Sequence, residues 1–302
     1  MNSYFYKLIA SILCGLTEDS VKSLRYGTSL VLIALLLAVQ PMLGATIRHR
    51  AVNPYFVTIN VMFLYPPEAL SYATAEQLHA YCVAKVDSVN QIIRTSGKGT
   101  KAQYRLAWDQ VSDEAPLLDR TELLWMAQSK YVATLRYVHQ ADLVGYLPVH
   151  PVPGDPPDLA NCPPTLDQFT PDAGFFVAVL SLRPDGTPAP EGFTTEHEML
   201  HPLGLNHQPS GVLATSAEDG PNARAREHVI QELCSQGVMG TYIGTCNGVD
   251  KLYYNRLPWF SNPNLTWQGY PTGTPTEDNA SMFSIGAERV SHYREKLVLP
   301  SP

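Results

Sequence analysis

No run of lysines and arginines occurs anywhere in the 302 residues, and the net charge is −7. That absence argues against nucleic acid or an acidic membrane surface as a partner. A long apolar run is missing too. Leu30–Val39 is about 10 residues long, whereas a bilayer-spanning helix needs roughly 20. No internal repeat is visible. What remains is ordinary globular material: 45% of the residues are apolar, enough for one large domain or two small ones.

The first 45 residues differ in kind. Lys7, Lys22 and Arg25 precede the apolar run, and Gln40-Pro41 and the small residues Gly44 and Ala45 follow it. This reads as a secretory signal peptide over 1–45, cleaved near Ala45, with an uncleaved membrane anchor as the alternative. The expected location is therefore outside the cytoplasm, extracellular or periplasmic. Export leaves Cys82, Cys162, Cys234 and Cys246 in an oxidising compartment, where two disulfides have three possible connectivities. Cys234 with Cys246 would staple the loop around Met239, leaving Cys82 with Cys162. About ten residues separate the signal from the first strand, so no propeptide is expected.

Residues 55–65 are β-branched and aromatic and end at Pro66-Pro67, the pattern of a buried strand. Thr74-x-x-Gln77 is a capping box that opens a helix with Leu78, Cys82, Val86, Val89 and Ile93 on one stripe, stopping near Gly97. Residues 104–108 and 141–149 are predicted strands, with a helix from Asp119-x-x-Glu122 to about Val138 between them. This alternation implies an α/β domain with a mostly parallel twisted sheet and crossover helices. Residues 151–172 read as a proline-rich surface loop and 175–182 as a further strand. A final helix is expected over 279–296, capped by Asp278. We divide the mature chain, 46–302, into an upper subdomain to about 204 and a smaller, irregular lower one from about 205.

Chemistry concentrates at 197–207, where the chain fills every fixed position of H-E-x-x-H-x-x-G-x-x-H. On a helix, His197 and His201 are i and i+4, so both imidazoles leave one face within reach of one ion. Gly204 can take the left-handed conformation that ends the helix and returns the chain for His207 to add a third nitrogen. Three neutral imidazoles leave a fourth zinc position to water, and Glu198 stands beside the first ligand as a general base. Pro202 should clash with the Glu198 carbonyl, so a kink is expected there. Glu196 lies on a different helix face from Glu198 and is read as a solvated residue. His49, His79, His139, His150, His228 and His292 are read as ordinary histidines.

With these residues the chain resembles a metzincin, the zinc endopeptidase clan that combines the long histidine motif with a Met-turn. The candidate turn is Gly237-Val238-Met239-Gly240, its methionine 32 residues beyond His207. Within the clan the likeness is to secreted bacterial reprolysin-like (adamalysin-type) peptidases. It is carried by Ala141-Asp-Leu-Val144, Phe193-Thr-Thr-Glu-His-Glu198, Phe260-Ser-Asn-Pro263, Thr266 to Gly273, Asp278-Asn279-Ala280 and Tyr293-Arg294. Three departures stand out: Gln208 replaces an aspartate, Leu200 replaces a glycine, and 151–172 shows no clear equivalent of an antiparallel edge strand.

The resemblance implies a secreted zinc endopeptidase with one catalytic Zn2+ on His197, His201 and His207, and Met239 as an apolar floor beneath them. Glu198 would take the proton of the attacking water. Tyr242, three residues past Met239, is either an oxyanion helper or simple packing. The implied partner is a protein or peptide substrate, with membrane contact only through an uncleaved N-terminus. Calcium is not indicated, and a monomer is expected. The competing classes are a catalytically silent or toxin-like binding module on the same fold, and a zinc hydrolase of cell-wall amides.

Overall fold

The longest apolar strand anchors the architecture. A computed structural model describes residues 56–114, 122–149, 159–163, 166–180, 193–207 and 225–297. All lie in one unit, Pro54–Pro302. The signal-peptide reading of 1–45 and the departure at Gln208 lie outside the described residues. So do Asp119, His49 and His150.

β1 (Val57–Tyr65) is followed by α1 (Ala75–Thr95), β2 (Ala102–Val111), α2 (Glu122–Gln128), α3 (Lys130–Val138), β3 (Leu143–Tyr146), β4 (Leu159–Ala160) and β5 (Phe175–Val177). The sheet runs β2-β1-β3-β5-β4, with the first four strands parallel and β4 antiparallel to β5. The α/β reading therefore holds, with four parallel strands. The missing edge strand is a correction: Leu159 and Ala160 pair with Val177 and Phe176 inside the proline-rich stretch. Two residues are too short to give a periodicity, and backbone pairing alone makes them a strand.

β1 is buried on both sides, as a central parallel strand must be. Its odd-numbered residues Ile59, Val61 and Phe63 pack with Leu78, Val86 and Ile93 of α1. Its even-numbered Met62 and Leu64 pack with Met126 of α2 and Val132 of α3 on the other face. The period of two thus splits one strand between two cores.

Local signals explain the helix ends. Thr74 Oγ1 accepts from the Gln77 N–H while Gln77 Oε1 accepts from the Thr74 N–H, the expected capping box. The single helix expected to run to Val138 is two. Ser129 leaves helical geometry and its Oγ caps α3 by accepting from the Val132 N–H.

Beyond the sheet come α4 (Thr194–Leu200) and the short strands β6 (Val229–Ile230), β7 (Ser235–Gln236), β8 (Ile243–Cys246), β9 (Val249–Tyr253), β10 (Asn255–Arg256), β11 (Thr266–Trp267) and β12 (Tyr270–Pro271). α5 (Asn279–Val290) follows, capped by Asp278 as expected; it stops six residues early, and a 3-10 turn covers Arg294–Lys296.

Two stretches far apart in the sequence meet in the interior. The fully buried Asp142 accepts from the Asn60 N–H at 2.8 Å, from the Arg294 N–H at 3.1 Å and from the Arg294 guanidinium. Of the cysteines, Cys234 and Cys246 form the expected disulfide. The Cys82–Cys162 pairing is wrong: Cys82 is a free thiol inside the α1 core, and Cys162 Sγ donates to the Leu205 carbonyl. The stripe of α1 that contains Cys82 faces the sheet, so packing accounts for its burial. No described helix is long and apolar enough to cross a membrane.

Candidate metal centre

α4 carries His197, with His201 opening the 3-10 turn that follows, and three side chains from β2 and α1 hold the helix in place. Tyr104 of β2 donates its hydroxyl to the Met199 carbonyl at 2.6 Å. Tyr81 of α1 bonds the Thr195 hydroxyl at 3.2 Å, and Lys85, one turn on, meets Glu196 at 3.5 Å. Glu196 is thus not the solvated residue its sequence position suggested: it is 2% exposed and paired with a lysine that is itself buried. Buried charges need such partners.

α4 ends at Leu200, and a 3-10 turn takes over at His201–Leu203 with Pro202 near its start. Pro202 therefore changes the winding without breaking the motif. Gly204 follows at φ +80°, and its N–H donates to the His201 carbonyl at 2.7 Å, the left-handed termination expected there.

The three imidazoles converge. Their Nε2 atoms lie 2.9 Å (His197–His207), 3.0 Å (His197–His201) and 3.1 Å (His201–His207) apart. His197 Nδ1 sits 2.8 Å from the Val238 carbonyl, and His201 Nδ1 sits 2.8 Å from that of Leu205. A carbonyl only accepts, so both Nδ1 atoms carry the proton and both Nε2 atoms present lone pairs to each other. Two facing lone pairs 3.0 Å apart repel, and a cation between them removes the conflict. The donor set fits a metal ion bound at the roughly 2.0–2.1 Å usual for zinc–imidazole bonds. Among the described residues these three form the group able to hold a metal.

Electrostatics favour neutral, ligating rings. Burial holds His197 far below the ordinary imidazole range, and pushes His201 down to about 3 and His207 to about 4. The neighbouring imidazoles and Arg256 add to the effect, and Arg256 acts on all three. Its Nε donates to the Gly240 carbonyl at 2.8 Å, beside Met239. Glu198 is 5% exposed, with Oε1 3.8 Å from His197 Nε2.

Gly237 to Gly240 is a closed turn, with the Gly240 N–H bonded to the Gly237 carbonyl at 2.9 Å, and Met239 is fully buried. Val238, one residue earlier, accepts from His197. Tyr242 is placed differently: its N–H donates to Gln236, and its ring meets Tyr254 edge-on at 5.0 Å. Its described contacts lead to that packing and not to the imidazoles. The other described histidines stay apart from the centre. His79, His228 and His292 bond Asp109, Glu277 and Glu295, and His139 stacks on Trp108.

Sequence reasoning missed Arg256 and a second group, Glu227 with Asn279. Glu227 is wholly buried; burial raises its pKa, while N–H donors oppose the rise. Neither Arg256 nor Glu227 lies in a spacing motif, so no local signal marks them.

No protein-family model and no curated protein matches the chain. Among solved structures, a chain in a structure of a chaperone–substrate complex superposes on 79% of this chain with a TM-score of 0.58 and 18% identity. This chain covers 35% of that one, about a third of its length. A likeness at this identity concerns the fold alone.

Proposed function

We propose that this protein is a secreted zinc endopeptidase of metzincin type. The observation that carries the reading is the convergence of three Nε2 atoms within 3.1 Å while the Nδ1 atoms of His197 and His201 are committed to carbonyls. A zinc ion held there supplies Lewis acidity and brings a water's pKa toward neutrality. Glu198 accepts the proton of the attacking water and returns it to the leaving amine. Met239 is the floor of the centre, one residue from the carbonyl that orients His197. β4, at the end of the sheet, supports an extended peptide by strand addition. The Cys234–Cys246 disulfide fits an oxidising compartment, in keeping with export.

A buried carboxylate beside the ligands favours the enzyme over a silent binding module, which has no use for a general base. Zinc content and casein or peptide-library cleavage are measured for the wild type and Glu198→Gln. One zinc per chain is expected in both. Cleavage is expected in the wild type, falling about 10²–10⁴-fold in the variant. Zinc binding with no cleavage by either supports the binding module; hydrolysis confined to cell-wall amides supports the amidase.

A further inference from the structure

Glu227 lies in no motif, yet four N–H groups converge on its carboxylate. The His228 N–H donates at 2.9 Å, Asn279 Nδ2 donates at 3.3 Å, and the backbone N–H groups of Met239 and Ser261 complete the set. These donors come from separate parts of the chain: the residue after Glu227 itself, the Met239 turn, the loop before β11, and the first residue of α5.

Asn279 extends the connection toward the third ligand. Its Oδ1 accepts from the Asn206 N–H at 2.9 Å, and its Nδ2 also donates to the Asn206 carbonyl at 3.0 Å. Asn206 Oδ1 in turn accepts from the His207 N–H at 3.1 Å. In the other direction, Met239 follows Val238, whose carbonyl orients His197. One carboxylate is therefore bonded to the backbone beneath the first ligand and, through Asn279, to the backbone that carries the third.

Space at the centre is shaped around this group. A Cβ on Gly237 would stand 2.5 Å from Glu227 Oε1 and 2.6 Å from the Trp259 carbonyl, so the first residue of the turn must be glycine for the carboxylate to fit. A carboxylate is also the side chain whose two oxygens accept from every donor present. The isosteric amide would turn its own N–H groups toward some of them.

We infer that Glu227 is a positioning residue of the metal centre, setting the distance between the His197 floor and the His207 loop through Met239 and Asn279. The inference rests on the metal reading of the three histidines. Groups that orient ligands from behind typically govern metal affinity by about 10–100-fold, so the site should loosen by that factor when Glu227 is altered.

The test is titration of the full chain with Co2+ alone, reading its visible absorption and the dissociation constant. It is run well below the melting temperature, with folding checked by circular dichroism. Glu227→Gln should weaken Co2+ binding about 10–100-fold and shift the absorption bands. Asn279→Ala keeps Glu227 in place but cuts its connection to Asn206, and should weaken binding in the same direction. Glu277→Gln, which removes the negative charge 2.7 Å from His228, should leave affinity unchanged. A folded Glu227→Gln protein with wild-type affinity and spectrum overturns the inference, as does a folded Asn279→Ala protein if Glu227→Gln does not fold. Absence of a Co2+ spectrum from the wild type, or one that survives His207→Ala, instead overturns the metal reading on which the inference rests.

Discussion

Lys85 and Glu196 face each other 3.5 Å apart in the interior, separated by 111 residues of sequence. Both side chains are less than a tenth exposed, and the lysine ammonium also lies over the Tyr81 ring at 5.2 Å. The pair fixes the start of α4 against α1, immediately before the first ligand. Replacing one partner strands a buried charge, which typically costs about 3–5 kcal/mol. Lys85→Met should therefore lower the urea midpoint substantially. Lys85→Met combined with Glu196→Gln should recover much of the loss, because no uncompensated charge remains.

Gly204→Ala tests the return of the chain toward His207. A left-handed backbone costs a non-glycine residue about 1–2 kcal/mol. The added Cβ would also meet Met282 and Phe169, each at 3.0 Å. A melting temperature several degrees lower and weaker zinc retention against a chelator are the expected results.

Metal-free protein should lose stability as the pH falls from about 6.5 toward 4. An unfolded imidazole takes its proton near pH 6.5. Folded His201 and His207 wait until about 3 and about 4, because burial disfavours their charged forms. Over that interval the unfolded chain binds more protons, so acid favours unfolding; above the interval the contribution is flat. Urea midpoints of chelator-treated protein between pH 4.5 and 7.5 should trace this fall, and His207→Gln should make it shallower.

The Cys234–Cys246 disulfide spans a sequence separation of 12 and encloses Met239. A loop of that length contributes about 3 kcal/mol by restricting the unfolded chain. Reduction, or paired Cys→Ser replacement, should lower the denaturation midpoint accordingly. Alkylation of denatured, unreduced protein should label Cys82 and Cys162 and leave Cys234 and Cys246 joined in one peptide pair.

Which features were legible in the sequence follows from the range of the interactions. The capping box at Thr74 and Gln77, the left-handed Gly204 and the i, i+4 histidines depend on neighbours within one or two helical turns, so local spacing reveals them. β1 was legible because both its faces are apolar. Ser129 looks unremarkable until its hydroxyl is seen to cap α3. Glu196 and Glu227 read as ordinary acids because their partners lie far along the chain: Lys85 in the first case, Met239, Ser261 and Asn279 in the second. β4 escaped because two residues cannot display alternation. Arg256 acts through its charge at a distance, which no periodicity records.

The bond between Asp142 and Arg294 also bears on the order of assembly during synthesis. A ribosome releases Asp142 long before its guanidinium partner, 152 residues later, and likewise releases Asn206 before Asn279. The nascent sheet thus carries an interior acid without its counter-charge, and the ligand loop lacks its backing, until nearly the whole described chain has emerged. Closure over such separations is entropically slow. A competent metal centre is therefore a late product of folding, completed by α5 and the turn after it.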